Sequence, residues 1–376
     1  MDKNIFKKIL KYTGKVFSVL GITLLALLVT VYGVGLIITH GPSENARELF
    51  VLSMKETSAA KWVPYLFMSS DAVNEIIEGG SVTADKQEDV EINTDLIDVG
   101  NKDDDADDNS AEYDTENDFY IPDTNGGNGD GDKDSNVVLK DDGITIYEVN
   151  GSTYSGEMMV IDDPSRVFVA TLDKYGENCE GITLDSFIKK YDAIGGTNAG
   201  GFYDPDGKGN GGTPDGLVIG NSQIMWGGED YVHYCVIGFD ENNILHVGNM
   251  SGKMALERKL ISAVSFSAGP LLVVNGKPMN ENKNLGGGLN PRTSIGQRAD
   301  GAILLLVVDG RQANSLGATY DDLVDIMLSY GAVNAANLDG GSSTRMHYNG
   351  ERINQSASLV GQRELPNAIL VKKKEA

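Results

Sequence analysis

The sequence predicts an α/β domain carried behind a membrane anchor and an acidic linker. Three observations predict it. Residues 302–338 show a strand, a capped helix and a second strand; residues 16–39 contain no charged side chain; and residues 81–136 are dominated by Asp, Asn, Gly and Ser.

Lys3, Lys7, Lys8, Lys11 and Lys15 precede the apolar run. The run is long enough to cross a bilayer as a helix. Lysines before it and none just after it place the amino terminus inside and the remainder outside. Residues 1–15 are therefore expected to be cytoplasmic, 16–39 a transmembrane helix, and the chain a single-pass protein of the cell membrane with its domain extracellular. A cleavable signal peptide is the rival, disfavoured by the length of the run and by the lack of a small-x-small site after it. Residues 40–80 read as a short helical stalk. Its apolar cluster, Trp62 and Tyr65 to Met68, suits either the lipid interface or the later domain.

Residues 81–136 hold 19 acidic residues against three lysines, so they supply most of the net charge of −24. So few aromatics accompany them that the segment is expected to be a disordered linker. The charge thus describes a tether rather than a surface, and no basic patch with interleaved aromatics marks a nucleic-acid partner. Asp130, Asp132 and Asp134 follow the spacing of a calcium loop. The pattern departs at Ser135, where glycine is wanted, and at Asp141, where glutamate is wanted. Acidic linker is the preferred reading, with Ca2+ a weak alternative and no other cofactor expected.

Residues 137–376 are expected to form a single domain with one sizeable core. Strands are predicted at 144–149, 157–161 and 166–172, separated by Asn150-Gly151 and Asp163-Pro164. Thr183 caps a helix with Leu184, Phe187, Ile188 and Tyr191 on one face. A short strand then leads into the glycine-rich turn around Asn198, Gly200 and Gly201. Gly207, Gly209 and Gly212 match G-x-G-x-x-G by count only, because no strand precedes them and Pro214 blocks a following helix; a loop over a site is the better reading. Further strands are predicted at 217–219, 231–239 and 244–247. His233, His246 and His347 lack metal-ligand spacing, so a zinc site is not expected. No serine sits in a nucleophile elbow. Cys179 and Cys235 leave pairing open.

Residues 302–308 form a continuous apolar run ending in Asp309-Gly310, the pattern of a strand buried on both faces. Thr319 is an N-cap, and Leu323, Ile326, Met327 and Tyr330 share a face before Gly331. A second strand ends in Asn337-Leu338-Asp339-Gly340-Gly341-Ser342-Ser343-Thr344, a turn of one carboxylate, two glycines and three hydroxyls. Strand, helix, strand is a parallel unit, and ligands bind beyond the carboxyl ends of such strands. Asp309 and Asp339 stand at those ends, ~5 Å apart on neighbouring strands or ~10 Å with one strand between.

Six stretches together carry a resemblance: 195–204 (GGTNAGGFYD), 214–219 (PDGLVI), 267–276 (SAGPLLVVNG), 290–297 (NPRTSIGQ), 304–311 (LLLVVDGR) and 337–344 (NLDGGSST). In this order they resemble the phosphodiester glycosidase family, over roughly 144–371. The resemblance implies an α/β fold with a mixed β-sheet and packed helices. It also implies hydrolysis of the bond between a sugar's anomeric carbon and phosphate, as in a family member that removes N-acetylglucosamine from a sugar-phosphate diester. The anchor, stalk and linker lie outside it and resemble those of surface-anchored members.

Chemistry of that kind needs a stabilised departing phosphate, a carboxylate for the anomeric centre and hydrogen bonds to the sugar. Arg292 and the amides and hydroxyls of Gly340, Gly341, Ser342 and Ser343 are expected at phosphate. Asp339 is expected as base or nucleophile with Asp309 as its partner. Asn198, Gly200, Gly201, Asp215 and Thr293 are expected around the sugar. The implied substrate is a phosphate-linked surface glycan or exopolysaccharide. The alternative is a non-catalytic, membrane-tethered module that binds such glycans.

Overall fold

The computed structural model describes residues 3–80, 82–83, 87, 90–100, 136–281, 284–355, 358 and 361–374. Helix α1 (Lys3–His40) contains the apolar run, and its part from Lys11 to His40 is long and apolar enough to cross a membrane. Ser43 caps α2 (Glu44–Lys55) by accepting from the Ala46 amide, and Ser69 caps α3 (Ser70–Gly79) in the same way. The apolar cluster of the stalk divides. Phe67 packs on α1 and α2, its ring centroid 5.3 Å from Tyr32 and 6.2 Å from Phe50, whereas Trp62, Tyr65 and Leu66 are exposed.

The linker expected from residue 81 differs from the structure at its near end. Val82 donates to Leu285, the Gln87 side chain pairs with both backbone groups of Leu271, and Asp98 donates to Ala299. Val82, Ile92 and Ile97 are buried. The physical reason is that these few apolar side chains, spaced among the acids, find grooves on the domain. Asp130, Asp132 and Asp134 lie outside the described residues. Asp141 lies in a strand, where its carboxylate accepts from the Tyr348 hydroxyl at 3.1 Å.

The domain opens with a meander of β1 (Val137–Asp141), β2 (Ile144–Asn150) and β3 (Ser155–Ile161). Next come β4 (Val167–Thr171), α4 (Leu184–Lys190), capped by Thr183, and β5 (Ala193–Asn198). The middle of the chain contributes β6 (Val218–Gly220), β7 (Gln223–Trp226), β8 (Tyr234–Asp240), β9 (Leu245–Met250), α5 (Gly252–Glu257) and β10 (Leu260–Ser265). Then follow β11 (Leu271–Val274), β12 (Lys277–Pro278), β13 (Arg292–Arg298) and β14 (Ile303–Val308). Helix α6 (Tyr320–Ser329) leads to β15 (Ala332–Leu338), and β16 (Met346–Tyr348), β17 (Glu351–Arg352) and β18 (Asn367–Lys372) complete the domain.

Among the described residues these strands form three sheets, in the orders β1-β2-β3-β14-β13-β15-β11-β12, β7-β6-β10-β8-β9 and β17-β16-β5-β18-β4. Met159, Ile295, Leu305 and Leu338 of the large sheet share one core with Ile237 and Val247 of the second sheet and with Val169, Met346 and Ile369 of the third. The other face of the large sheet, with Leu304, Leu306 and Leu272, packs on Leu323, Val324 and Met327 of α6. Both faces of β14 are therefore covered, which explains its unbroken apolar run.

Thr319 and Asp322 form a reciprocal capping box at the start of α6, and Gly331 after it takes φ +79°, as the sequence predicts. The mixed sheet expected from the sequence is instead antiparallel in its hydrogen bonding. Every hydrogen-bonded pair among the described strands is antiparallel. The strands joined by α6, β14 and β15, are parallel to each other only across β13, which inserts between them. Cys179 and Cys235 are both free, and burial pushes the Cys235 thiol up to about 12.

Candidate active site

The insertion of β13 decides which residues meet. It runs opposite to its neighbours, so its first residues lie beside their last: Arg292 pairs with Val308, and Thr293 with Leu338. Arg292, Asp309 and Asp339 therefore share one edge of the large sheet, with Asp309 and Asp339 roughly 10 Å apart at two strand spacings.

Asp339 is pinned through its backbone. Its amide donates to Ala199 at 2.9 Å, and its carbonyl accepts from the Asn198 side chain at 2.5 Å. The same Asn198 accepts from the Thr293 hydroxyl at 2.9 Å and from the Arg345 amide at 3.0 Å. Asn198 and Thr293 are fully buried, so they hold the Asp339 turn rather than reach a sugar as expected of them. After Asp339 the chain passes through Gly341 at φ +61°, whose amide donates to Pro291 at 2.8 Å. The short 3-10 turn Gly341–Ser343 follows. Left-handed backbone at this point suits glycine.

Burial raises the Asp339 carboxyl from 3.8 to about 7; hydrogen bonds from the Ser343 hydroxyl and the Gly340 amide and the charge of Arg363 pull it down, and Asp204 pushes it up. Arg363 reaches this turn from the last loop. It pairs with Asp204 at 3.0 Å and donates to the carbonyls of Gly209 at 3.0 Å and Gly207 at 3.4 Å. The glycine-rich loop predicted to cover a site is thus fastened beside Asp339. The acidic neighbour of Asp339 is Asp204 rather than the expected Asp309.

Asp309 faces a different set. Its carboxylate accepts from the Asn354 side chain and the Gln355 amide, each at 3.0 Å. Burial raises it, while those two donors and Arg352 oppose the rise. On the adjacent strand, burial first and then Asp309 and Glu148 raise Glu157 to about 8. Asp309 ties the 354–355 segment to the large sheet.

Arg292 is buried and heavily engaged. It donates to Ala318 at 3.2 Å and to Gly288 at 2.8 Å, stacks 4.1 Å from the Tyr320 ring centroid, and pairs with Glu56 of the stalk at 2.8 Å. Arg311 stands closer to the Asp339 turn, where a Cβ placed on Gly341 would meet its guanidinium nitrogens at 3.4 Å. Burial and the nearby Arg292 lower the Arg311 pKa, and Glu56 opposes them.

The amides of Gly200 and Gly201 are taken by the Asn367 side chain at 2.7 Å and the Ser265 carbonyl at 3.2 Å, so they support the turn from behind. Asp215 is exposed, with its amide bonded to Gly201. His347 is directed to α4, its Nδ1 2.7 Å from Asp185, while its neighbours Met346 and Tyr348 face the shared core.

Sequence reasoning missed Glu56, Asp204, Arg311, Tyr320 and Arg363. Arg311 had a signal, because it closes the Asp-Gly-Arg of its motif. Glu56 had none, since it lies in a segment read as a stalk. Arg363 is brought in by a loop whose own sequence has no local pattern.

Residues 191–372 match the sequence profile of the family described as phosphodiester glycosidase. A Bacillus subtilis (strain 168) relative, the SPbeta prophage-derived uncharacterized protein YomE, is 36% identical over 123 residues, which is 32% of this chain and 19% of that protein. The chain thus spans about a fifth of that relative's length. Among solved structures, the catalytic domain of zebrafish N-acetylglucosamine-1-phosphodiester alpha-N-acetylglucosaminidase, auto-inhibited by its pro-peptide, is similar at a TM-score of 0.48 and 18% identity, over 61% of this chain and 82% of that one. A hypothetical protein from Synechocystis is similar at 0.41 and 18%, over 61% of each chain. The matched span, which resembles the phosphodiester glycosidase family, contains Asn198, Arg292, Asp309, Arg311, Asp339 and Arg363.

Proposed function

We propose that the domain hydrolyses sugar-1-phosphodiesters of the N-acetylglucosamine type at the bond between the anomeric carbon and the phosphate oxygen. The proposal places it outside the cytoplasm, on phosphate-linked surface glycan or exopolysaccharide, with α1 as its membrane anchor. The observation that carries this reading is Asp339: a carboxyl held at a glycine turn and raised to about 7, with the Ser343 hydroxyl and Arg363 acting on it and Arg311 against the turn that follows. A group with a pKa near the working pH is well matched to proton transfer.

In this reading Asp339 takes the proton of the water that adds to the anomeric carbon. The carbon–oxygen bond breaks and its electron pair leaves on the phosphate oxygen, giving free sugar and a phosphomonoester. A phosphate leaving group needs no protonation, so one proton-accepting carboxylate suffices. Arg311, with Arg292 behind it and Ser342 at the turn, neutralises the phosphate; guanidinium forks suit its paired oxygens. Asp215 is placed to meet sugar hydroxyls.

The test is to incubate the full chain in detergent with an α-linked N-acetylglucosamine-1-phosphate diester and to identify the products by mass. Free sugar plus phosphomonoester, absent with Asp339→Asn, is expected. Sugar-1-phosphate would mean that the bond from phosphorus to the alcohol oxygen was cut and would overturn the mechanism. Saturable glycan binding without turnover would turn the reading into a tethered binding module.

A further inference from the structure

We infer that Glu56, in the stalk just beyond α2, is a positioning residue that orients Arg311 and Arg292 for an anionic substrate group, so that the stalk completes the site. The inference deepens the reading of the site given above and rests on it for the identity of the anion.

Glu56 ends α2, its amide donating to Leu52 at 3.0 Å. Its carboxylate meets three donors of one short segment. Oε1 accepts from the Gly288 amide at 2.9 Å, and Oε2 accepts from Asn290 Nδ2 and Arg292 Nη2, each at 2.8 Å. Asn290 passes the constraint on. A carboxylate only accepts and a guanidinium only donates. The amide of Asn290 is therefore forced to turn its nitrogen to Glu56 and its oxygen to Arg311, which donates to it from Nε at 3.2 Å and from Nη2 at 2.9 Å. The Glu56 carbonyl accepts from the same Arg311 Nη2 at 3.2 Å. Arg311 is thus held by one stalk residue twice, directly and through Asn290, and it stands against the Gly341 turn that follows Asp339. Glu56 also acts on both guanidinium groups, offsetting the repulsion of Arg311 by Arg292 and so keeping Arg311 charged for an anion.

The stalk is fitted for this role. The Ser53 hydroxyl accepts from the Leu289 amide at 2.8 Å, and a Cβ on Gly288 would meet the Ser53 nitrogen at 2.2 Å. Glycine at 288 is required by that approach alone. On the far side, Ser58 lies 3.5 Å from where a Cβ on Gly207 would stand, next to the loop fastened by Arg363.

The test compares full-length wild type, Glu56→Gln and Asn290→Ala in detergent, on the same diester. Both variants are expected to raise KM by about tenfold or more with kcat within about threefold, since they disorient a binding cation and leave Asp339 in place. Asn290→Ala keeps the Glu56–Arg292 pair, so it carries the test if Glu56→Gln does not fold. An unchanged KM in folded variants would overturn the inference and leave α2 a docking element. A faster enzyme would also overturn it, because α2 would then cover the site rather than complete it. If wild type does not turn over the diester, the functional reading fails by itself, and inorganic phosphate becomes the probe. Phosphate is then expected to raise the melting temperature of wild type and not of the variants. No rise in wild type, or equal rises in all three, would overturn the inference.

Discussion

Asp309 and Asp339 end two buried strands of one sheet, each precedes glycine, and one strand separates them. Their surroundings nevertheless differ. Asp339 has a hydroxyl, a backbone amide and a guanidinium on one side and the acid of Asp204 on another, and is raised to about 7. Asp309 has an amide side chain and a backbone amide that stitch a distant segment to the sheet, with the buried Glu157 as its acidic neighbour. The pair teaches that an Asp-Gly strand end marks a place on the sheet edge and not a role. The role comes from what other segments bring to that place.

The largest expected effect breaks the comparison at its functional end. Asp339→Asn should lower kcat by about 10³-fold, the order expected for loss of a positioned proton acceptor. The same variant should be more heat-stable than wild type at pH 8. The folded pKa of Asp339 lies above its unfolded value, so its contribution to stability is complete below about pH 4 and is lost as pH rises through about 7. Asparagine removes that loss. Melting curves at pH 5 and pH 8 measure it, and a lower stability at pH 8 would show that the carboxylate is needed for folding.

Asp309→Asn tests the other end. It should destabilise the domain by about 1–3 kcal/mol, the cost of weakening a buried carboxylate's hydrogen bonds. Its kcat should stay within about tenfold of wild type. Urea unfolding together with initial rates separates the two effects, and a thousandfold loss of kcat at intact stability would restore Asp309 as a catalytic partner.

A smaller effect concerns pH. With Asp339 accepting a proton, kcat/KM should fall as pH drops below about 7. Arg363 holds that pKa down, so Arg363→Met should move the acid limb to higher pH. A limb that stays in place would remove Arg363 from the electrostatics of the site.

The smallest effect is at Glu157. Its pKa of about 8 lies above its unfolded value, so its contribution to stability is complete below about pH 4.5 and is lost as pH rises through about 8. Glu157→Gln should leave the melting temperature nearly unchanged at pH 4 and raise it at pH 9. Equal shifts at both values would mean that packing, and not charge, sets this position.

Much of the fold was legible, and for local reasons. The N-cap at Thr319, the glycine at 331 and the apolar run of β14 are signals contained within a few residues of chain. Strand order was not legible. Nothing in 302–338 announces that β13 inserts between the two parallel strands, because hydrogen bonding between strands is set by segments distant in sequence. The site divides in the same way. The turn at Asp339 was visible as a cluster of glycines and hydroxyls. That Asn198 and Thr293 serve it from behind was not, because burial decides whether a polar side chain is free to bind or already satisfied.

The sequence by itself determined several of the strands, two capped helices of the domain, the apolar helix long enough to span a bilayer, the acidic stretch and the motifs that resemble one family. It could do so because periodicity, capping and charge are properties of neighbouring residues. Only the tertiary structure decided which carboxylate sits among arginines, which loop Arg363 fastens, and that a glutamate from the stalk orients two guanidiniums of the site. Those outcomes depend on the juxtaposition of residues such as 56, 290, 311 and 339, whose shared environment sets their charge and orientation and has no trace in local sequence.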